Sequence, residues 1–298
     1  MKEKQRAFGS LLVGGSAVIY GISPALMKIT FAYGGTGLLS TFYTCTFALP
    51  FLWLWARMKG HSLHLSRGRA GQMAILATSS AATSVLLYSS YSFIPVGMAT
   101  TLHYIYPIAA AFYLVAFCGE RLRWQNILSL ILAAAGIVCI SASSLRSGGS
   151  LPGILLALFS GFTWAFYMVY LERSGLAHLP PEVLNTYTAA ANILFSAGMC
   201  VLLQGGIGAY TLPGIWLLAA FNGLLHKVGA NAMFHVGIRN TSALSASIIS
   251  TFEPVVSVLI GTVMLHEALA GIQILGLVLV LSGILCDLAA GRGRVTAD

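Results

Sequence analysis

The chain has 298 residues, of which 57% are hydrophobic and only 8% are charged. A water-soluble domain typically carries about 25% charged residues, so this composition excludes a soluble globular protein and indicates a protein of the lipid bilayer. The net charge of +8 does not indicate nucleic-acid binding, because the basic residues are distributed between the apolar stretches in a way that reports membrane topology.

Apolar stretches recur along the whole chain, each long enough to cross a hydrocarbon core as a helix. The basic segment from Lys2 to Arg6 is interpreted as a flank that orients the first span rather than as a signal peptide, because no small-residue cleavage site follows it. The sequence predicts ten spans, at residues 8–29, 36–56, 71–93, 97–117, 124–143, 151–171, 184–204, 213–236, 242–264 and 271–289.

Basic residues divide unevenly between the two sides that ten spans would create. With the N-terminus inside, almost all of them fall on the cytoplasmic side, and only Lys28 and Arg146 fall near the other side. This is the positive-inside bias. It predicts a multi-pass protein of the inner (plasma) membrane with both termini in the cytoplasm.

Part of the first half of the chain recurs in the second half, at a constant offset of 147 residues. Such a duplication in a membrane protein can be inverted, which is a common construction of secondary transporters. The matching pairs are Pro107 and Pro254, Glu120 and Glu267, Leu122 and Leu269, Ile127 and Ile274, Leu128 and Leu275, Gly136 and Gly283, Ile137 and Ile284, and Cys139 and Cys286.

Each copy would hold five spans, and because five is odd, the second copy must cross the membrane with the opposite orientation. The charges agree, since Arg121 and Arg123 follow the turn of the first copy and alanines take their places in the second. The sequence therefore predicts an all-α polytopic membrane protein. Its ten transmembrane helices form two inverted five-helix repeats, at 8–143 and 151–289, joined by a short segment around Ser147.

Several motifs follow the same arrangement: Glu253-Pro254 with an apolar run to Glu267 and then Gly276 and Gly283, Trp164-Ala165 in span 6, and Tyr20-Gly21 with Lys28 in span 1. Together they resemble the EamA-type repeat of the drug/metabolite transporter superfamily, over nearly the whole chain. The resemblance implies an inner-membrane secondary transporter, often an exporter of amino acids or other small metabolites. The first copy departs from the motif, because Tyr106 stands where the second has Glu253.

Two ionisable residues lie near the middle of predicted spans, Lys227 in span 8 and Glu253 in span 9. An ionisable group at membrane depth is costly, so such residues usually pair with each other or serve binding. The two alternatives here are a structural ion pair and a role in substrate or proton binding.

Helical spacing extends these two positions into polar stripes. The repeat relates the stripe of span 9 to span 4, which places equivalent polar residues at the interface of the two halves. The stripes are Lys227, Asn231 and His235 in span 8, Ser247, Ser250, Glu253 and Ser257 in span 9, and Thr100, His103 and Tyr106 in span 4.

Pro107 and Pro254 follow directly on the stripes of spans 4 and 9. A proline within a helix removes one backbone hydrogen bond and kinks the preceding turn. Each of these spans is therefore predicted to bend there, either as a static kink needed for packing or as a hinge.

Aromatic residues in spans 1, 3, 4 and 6 would suit a cavity for an amphipathic or aromatic solute, or would act as interfacial anchors. His103 is the main candidate for proton relay, ahead of His226 and His235. We predict a central site lined by spans 1, 3, 4, 6, 8 and 9, with substrate-binding residues Glu253, Lys227, His103, Tyr106, Trp164, Asn231, Ser250, Tyr88 and Tyr20.

The leading hypothesis is a secondary transporter of a small-molecule substrate, with protons as a candidate coupling ion. No nucleotide-binding motif, metal-ligand spacing or cofactor motif occurs in the sequence. The alternatives are an intramembrane enzyme that uses His103 or Glu253 as a base, and a channel. Small residues in spans 5 and 10, such as Gly136 and Gly276, predict close helix packing within the chain or in a homodimer.

Overall fold

The computed structural model describes residues 2–142, 150–265 and 270–292. The segment around Ser147, the cation Arg146 and the turn at Glu267 lie outside these ranges. Within them the chain forms helices α1 (Lys2–Phe31), α2 (Gly37–Met58), α3 (Arg67–Ser90), α4 (Val96–His103), α5 (Tyr106–Cys118), α6 (Trp124–Ile140), α7 (Leu151–Arg173), α8 (Pro181–Gln204), α9 (Pro213–Gly223), α10 (Asn231–Asn240), α11 (Ala243–Ser250), α12 (Phe252–Leu265) and α13 (Gly271–Arg292).

These helices make up the ten predicted spans. Within the described residues, eight helical segments are long and apolar enough to cross a membrane, and Trp124–Ile140 is a shorter apolar helix. The eighth span runs from α9 to α10 through a π-helical segment, Leu224–Ala230. The chain is therefore an all-α multi-pass membrane protein, as predicted.

Both predicted proline bends are present, and they occur at equivalent positions. Span 4 is interrupted between α4 and α5, just before Pro107, and span 9 is interrupted between α11 and α12, just before Pro254. A proline cannot donate to the carbonyl one turn earlier, which frees the backbone carbonyls of His103 and Ser250.

Helix neighbours repeat after five spans. The first span, α1, packs against span 8 and span 9, and its counterpart α7 packs against span 3 and span 4. The pseudo-twofold relation exchanges each helix of one half with its counterpart in the other. Two such counterpart pairs are in extensive contact with each other, α2 with α8 and α6 with α13. This pattern is that of two five-helix units related by a pseudo-twofold axis.

Close glycine contacts show the same relation at the level of residues. A Cβ atom added to Gly9 would lie 2.7 Å from the Cβ atom of Asn240, and one added to Gly153 would lie 2.7 Å from the Cβ atom of Phe93. Asn240 and Phe93 are 147 residues apart. In each half, the first helix therefore begins against the end of a span of the other half.

The small residues of α6 and α13 pack these two helices together within the chain. An added Cβ atom at Gly136 would lie 2.7 Å from the carbonyl oxygen of Gly276, and one at Gly283 would lie 2.9 Å from that of Ser129. Each contact becomes the other under the offset of 147 residues. The small residues therefore have an intrachain role, and a homodimer stays a prediction.

The bundle has two ends that differ in charge. The end at which α1 begins and α13 ends, here called the termini end, carries the cations at the ends of α2, α7 and α10 and at the start of α3. At the opposite end, here called the far end, Lys28 lies in the last turn of α1. The structure therefore shows the same uneven distribution of basic residues that the sequence indicated.

Candidate functional site

All nine predicted site residues line one cavity in the middle of the bundle. The cavity contains about 980 Å³ of empty space, counting the space at its mouth, and spans 1, 3, 4, 6, 8 and 9 surround it. Its walls are formed by Tyr20, Ser23, Met27, Ser80, Thr83, Ser84, Leu87, Tyr88, Tyr91, Thr100, His103, Tyr104, Tyr106, Trp164, Tyr167, His226, Lys227, Asn231, Ser250 and Glu253.

Lys227 enters the cavity wall from the π-helical segment of span 8. Its side chain is buried, with 7% of its surface exposed. Single π-helical turns within α-helices are rare and often occur at functional sites. Among the described residues Lys227 makes no salt bridge, so the ammonium group faces the cavity without a counter-ion.

Glu253 lies opposite the bend of span 4, in the first turn of α12. The carboxylate lies beside the hydroxyl of Tyr104. A Cβ atom added to Gly21 would lie 2.7 Å from the backbone oxygen of Glu253, so only glycine lets α1 approach here. The structural ion pair between Glu253 and Lys227, one of the two alternatives from the sequence, is absent from the described part of the chain.

Span 1 is connected to span 8 at the cavity wall. The hydroxyl of Tyr20 donates a 2.8 Å hydrogen bond to Oδ1 of Asn231, and its ring lies 4.9 Å from that of His226. One turn further along α1, Ser23 donates to Oδ1 of Asn222 at 2.8 Å. These bonds fix the position of α1 relative to the π-helical segment that carries Lys227.

His103 is held by the helix opposite. Its Nδ1 lies 2.8 Å from Oγ of Ser160, and that hydroxyl donates to the carbonyl oxygen of Ala157 at 2.6 Å. Because the single proton of Ser160 is used in this second bond, Nδ1 of His103 must be the donor in the first. Ser160 is fully buried, so the pair does not present an accessible nucleophile.

Two hydroxyl groups in the cavity wall have unused hydrogen-bonding capacity. Those of Tyr106 and Ser250 lie beside each other. Neither makes a hydrogen bond of ordinary geometry to a described residue, although both are buried. Buried polar atoms normally have partners, so these hydroxyls suit the polar groups of a ligand or ordered water.

An aromatic layer closes the cavity toward the termini end. Trp164 stacks on Tyr167 with ring centroids 4.9 Å apart, and on Phe234 at 5.6 Å. The hydroxyl of Tyr167 is 2.5 Å from Nε2 of His235. Both Phe234 and His235 are buried, so this layer separates the cavity from that end of the bundle.

Some residues of the predicted stripes do not reach the cavity. His235 contacts Tyr167 instead, Ser247 donates to its own helix at Leu244, and Ser257 donates to the carbonyl oxygen of Gly21. The stripes overextend because spans 8 and 9 are not uniform α-helices. The π-helical segment of span 8 changes the direction of His235, and the break in span 9 changes that of Ser257. Ser247 precedes the break and bonds within its own helix.

Span 3 contributes a polar wall to the cavity that was not predicted from the sequence. Ser80, Thr83 and Ser84 line the cavity, as does Ser23 of α1. The run of small hydroxyl residues in α3 was the available signal, since such residues are otherwise uncommon in an apolar span. In the described part of the chain, no group of three or more His, Cys, Asp or Glu side chains is placed to hold a metal ion.

Comparison with known proteins gives a consistent family signal across the chain. The model of the EamA-like transporter family matches residues 7–142 and again residues 151–287. One solved crystal structure superposes with a TM-score of 0.80 over 97% of this chain and 99% of that chain, at 20% sequence identity. At this identity, the likeness establishes the fold alone.

Three relatives illustrate the range of similarity. YvbV of Bacillus subtilis (strain 168), an uncharacterized transporter, is 23% identical over 95% of this chain and 92% of its own length. The uncharacterized transporter sll1319 of Synechocystis is 29% identical, and the match covers 66% of this chain but only 60% of that protein. The threonine/homoserine exporter RhtA of Salmonella typhimurium is 27% identical over 64% of this chain and 62% of its own length.

Proposed function

This chain belongs to the EamA-like transporter family, and on that premise we propose that it is a secondary exporter of amino acids or similar small amphipathic zwitterions. It works in the inner membrane by alternating access around the central cavity, with both termini in the cytoplasm. The two halves, residues 8–143 and 151–289, are the units that move. The positive termini end supports this orientation, and the resemblance to an exporter of threonine and homoserine supports the substrate class.

The observation that carries the proposal is the separation of two buried side chains of opposite charge type in the wall of one cavity. Lys227 and Glu253 both line it, and neither neutralises the other. Each charge left alone at membrane depth is costly. A solute with a carboxylate and an ammonium group would offset both costs at once, with its carboxylate at Lys227 and its ammonium group at Glu253.

The aromatic side chains explain how the rest of such a solute is held. Tyr20, Tyr88, Tyr106 and Trp164 all face the cavity. Their rings offer apolar contact to a substrate side chain and cation–π contact to an amine. The cavity is therefore suited to solutes with a charged head and an apolar or weakly polar side chain.

The bends of spans 4 and 9 supply the places at which the halves can change shape. The cavity is closed at the termini end by the layer of Trp164, Tyr167 and Phe234. Its walls reach the last turn of α3 and Tyr91 on the way to the far end. This arrangement supports an outward-facing state, and the inward-facing state requires the aromatic layer to separate.

Transport without chemical change fits the site better than catalysis. The Ser160 and His103 pair is buried with its proton committed to Ala157. Glu253 has no partner set that would form a nucleophile–base cluster with it in the described residues. A channel would need a continuous opening, whereas the aromatic layer closes one end of this cavity.

Counterflow in proteoliposomes tests the proposal. Proteoliposomes that contain the purified protein are loaded with unlabelled threonine, phenylalanine or another amino acid. Entry of the same compound in labelled form is then followed. We expect saturable counterflow of at least one amino acid, recovered chemically unchanged. Lys227→Gln and Glu253→Gln should each reduce it by about tenfold or more, and Lys28→Gln, outside the cavity, should leave it unaltered. Equal rates in all four proteins would overturn the proposal.

A further inference from the structure

A second polar feature crosses the bundle outside the cavity, on one face of α8. Five polar side chains occur there at helical spacing, and each has at most 2% of its surface exposed. The helix packs on this side against α2 and α3. The five residues, here called the α8 stripe, are Glu182, Asn185, Thr188, Asn192 and Ser196.

In the middle of the α8 stripe, several polar side-chain atoms form no hydrogen bond to the described protein. Both side-chain polar atoms of Asn185, and Oδ1 of Asn192, are buried and have no hydrogen-bond partner among the described residues. A buried amide left without hydrogen-bond partners destabilises the folded protein. Buried water usually occupies such places, because it makes about three hydrogen bonds to polar groups that protein leaves unpaired.

The two ends of the stripe have different surroundings. At the termini end, Glu182 contacts Nδ1 of His61, whose side chain is 44% exposed. Ten residues further along the helix, Nδ2 of Asn192 donates to Oγ of Ser80 at 3.1 Å. Ser80 lines the central cavity. The stripe therefore connects a solvent-accessible histidine with the cavity over about 15 Å of helix rise.

We propose that the α8 stripe is a hydrated path that carries water and protons between the termini end and the central cavity. The path runs beside α8 and so does not pass through the aromatic layer. That layer blocks a solute of amino-acid size, whereas single water molecules would move along α8 without meeting it. Protons would enter at the His61–Glu182 contact and reach the cavity at Ser80. Its use in coupling rests on the proposed transport function, whereas the path itself does not.

The pseudo-twofold counterpart of α8 gives a contrast. The counterpart is α2, and near its first turn Ser40 lies 2.8 Å from Oγ1 of Thr30 and accepts from the hydroxyl of Tyr210 at 3.3 Å. These buried hydroxyls satisfy one another. The far end therefore has a closed polar cluster where the termini end has an open one, so the path leads to the termini end alone.

Thiol accessibility tests the path without reference to transport. In a full-length protein whose five native cysteines are replaced by alanine, Asn185→Cys and Asn192→Cys are compared with Val183→Cys. Val183 is buried on the opposite side of the same helix. Silver ions, which are close to water in size, are applied to the folded protein, and protected thiols are then counted with maleimide after denaturation.

We expect the two stripe positions to react with silver at least about tenfold faster than the Val183 position, because only they would face the hydrated path. Equal protection of all three thiols would overturn the proposal. Asn185→Ser is a second variant, in case Asn185→Cys does not fold. Its side chain is smaller and still polar, so this protein should fold and its stripe should stay hydrated.

Proton movement tests the coupling role. Proteoliposomes that contain a pH-sensitive dye are given a pH gradient together with saturating threonine on both sides, and counterflow of labelled threonine is followed in parallel. Asn185→Leu and Asn192→Leu should lower proton entry by about tenfold and leave counterflow within twofold. Ser196→Ala, beyond the Ser80 junction, should change neither rate.

The outcomes separate the two proposals. If protons enter proteoliposomes that contain the Asn185→Leu protein at the wild-type rate, the proposal of a proton path along α8 is wrong. Absence of counterflow for every amino acid in the wild-type protein would overturn the transport function instead, and the silver experiment would then still decide whether the path is hydrated.

Discussion

The hydroxyl of Tyr20 donates a 2.8 Å hydrogen bond to Oδ1 of Asn231, 211 positions away in the sequence. This bond connects the first span of one half to the eighth span in the other, beside Lys227. It lies in the cavity wall, where a relative movement of the halves would have to stretch or break it. Interactions of this kind set the balance between the two access states.

Tyr20→Phe should therefore weaken substrate binding more than it weakens folding. Loss of one neutral hydrogen bond costs about 1 kcal/mol, and the amide of Asn231 would remain in a cavity that water can enter. We expect the dissociation constant for the transported amino acid to rise about fivefold, measured by thermal shift against ligand concentration. Tyr170→Phe, outside the cavity, is the matched control, and an equal change in both variants would contradict this interpretation.

The hydrogen bond between Tyr167 and His235 should hold the termini end closed. Tyr167→Phe removes it and leaves the stacked rings in place, so the aromatic layer should separate more often. The thiol of Asn231→Cys should then react with an impermeant thiol reagent from the termini end at least about threefold faster than in the Asn231→Cys protein that keeps Tyr167. Unchanged labelling from that end would show that the stacking alone closes the cavity.

The two prolines after the bends should affect turnover rather than binding. Pro107→Ala and Pro254→Ala allow the broken backbone bonds to form and straighten spans 4 and 9. We expect the maximal rate of counterflow to fall severalfold while ligand-dependent thermal stabilisation stays the same. Pro50, which lies within α2 and away from the cavity, supplies the control Pro50→Ala, and an equal loss of rate there would rule out a hinge role for the other two.

The crossing of α6 and α13 should be sensitive to added side-chain volume. Gly136→Ala would place a Cβ atom 2.7 Å from the carbonyl oxygen of Gly276, so the helices must move apart. Overpacking of this kind costs roughly 1–3 kcal/mol, and the melting temperature in detergent should fall by several degrees. Gly14→Ala, where nothing lies within 4 Å, should have no such effect. An unchanged melting temperature of the Gly136→Ala protein would show that α6 and α13 can move apart without loss of stability.

Much of this fold could be predicted from the sequence, because composition and repetition determine it. The ten spans follow from apolar length, and their inversion follows from an odd number of spans in each copy. The bends followed from Pro107 and Pro254, because a proline acts on its own helix. Of the residues that line the cavity, the polar ones of spans 4, 8 and 9 were predicted from the cost of placing Lys227 and Glu253 in lipid and from the repeat, and the aromatic ones from their abundance in spans 1, 3, 4 and 6.

Other features depend on packing that no local pattern records. The π-helical segment Leu224–Ala230 has no marker in its own residues, and it directs His235 away from the cavity toward Tyr167. The separation of Lys227 from Glu253 is a tertiary result, because the same two residues could equally have formed an ion pair. The α8 stripe was not predicted from the sequence, and its unpaired amide atoms are found only once α2 and α3 are packed against it.

Analogues that each lack one charge test the central claim most directly. For the amino acid that the protein transports, affinity is measured for the parent compound, its amide and its N-acetyl derivative, in the wild-type protein and in Lys227→Gln and Glu253→Gln. The account predicts that the wild-type protein prefers the parent compound to both derivatives. Lys227→Gln should lose only the preference over the amide, and Glu253→Gln only the preference over the N-acetyl derivative. Preferences that survive unchanged in both variants would contradict recognition of a zwitterion by these two charges.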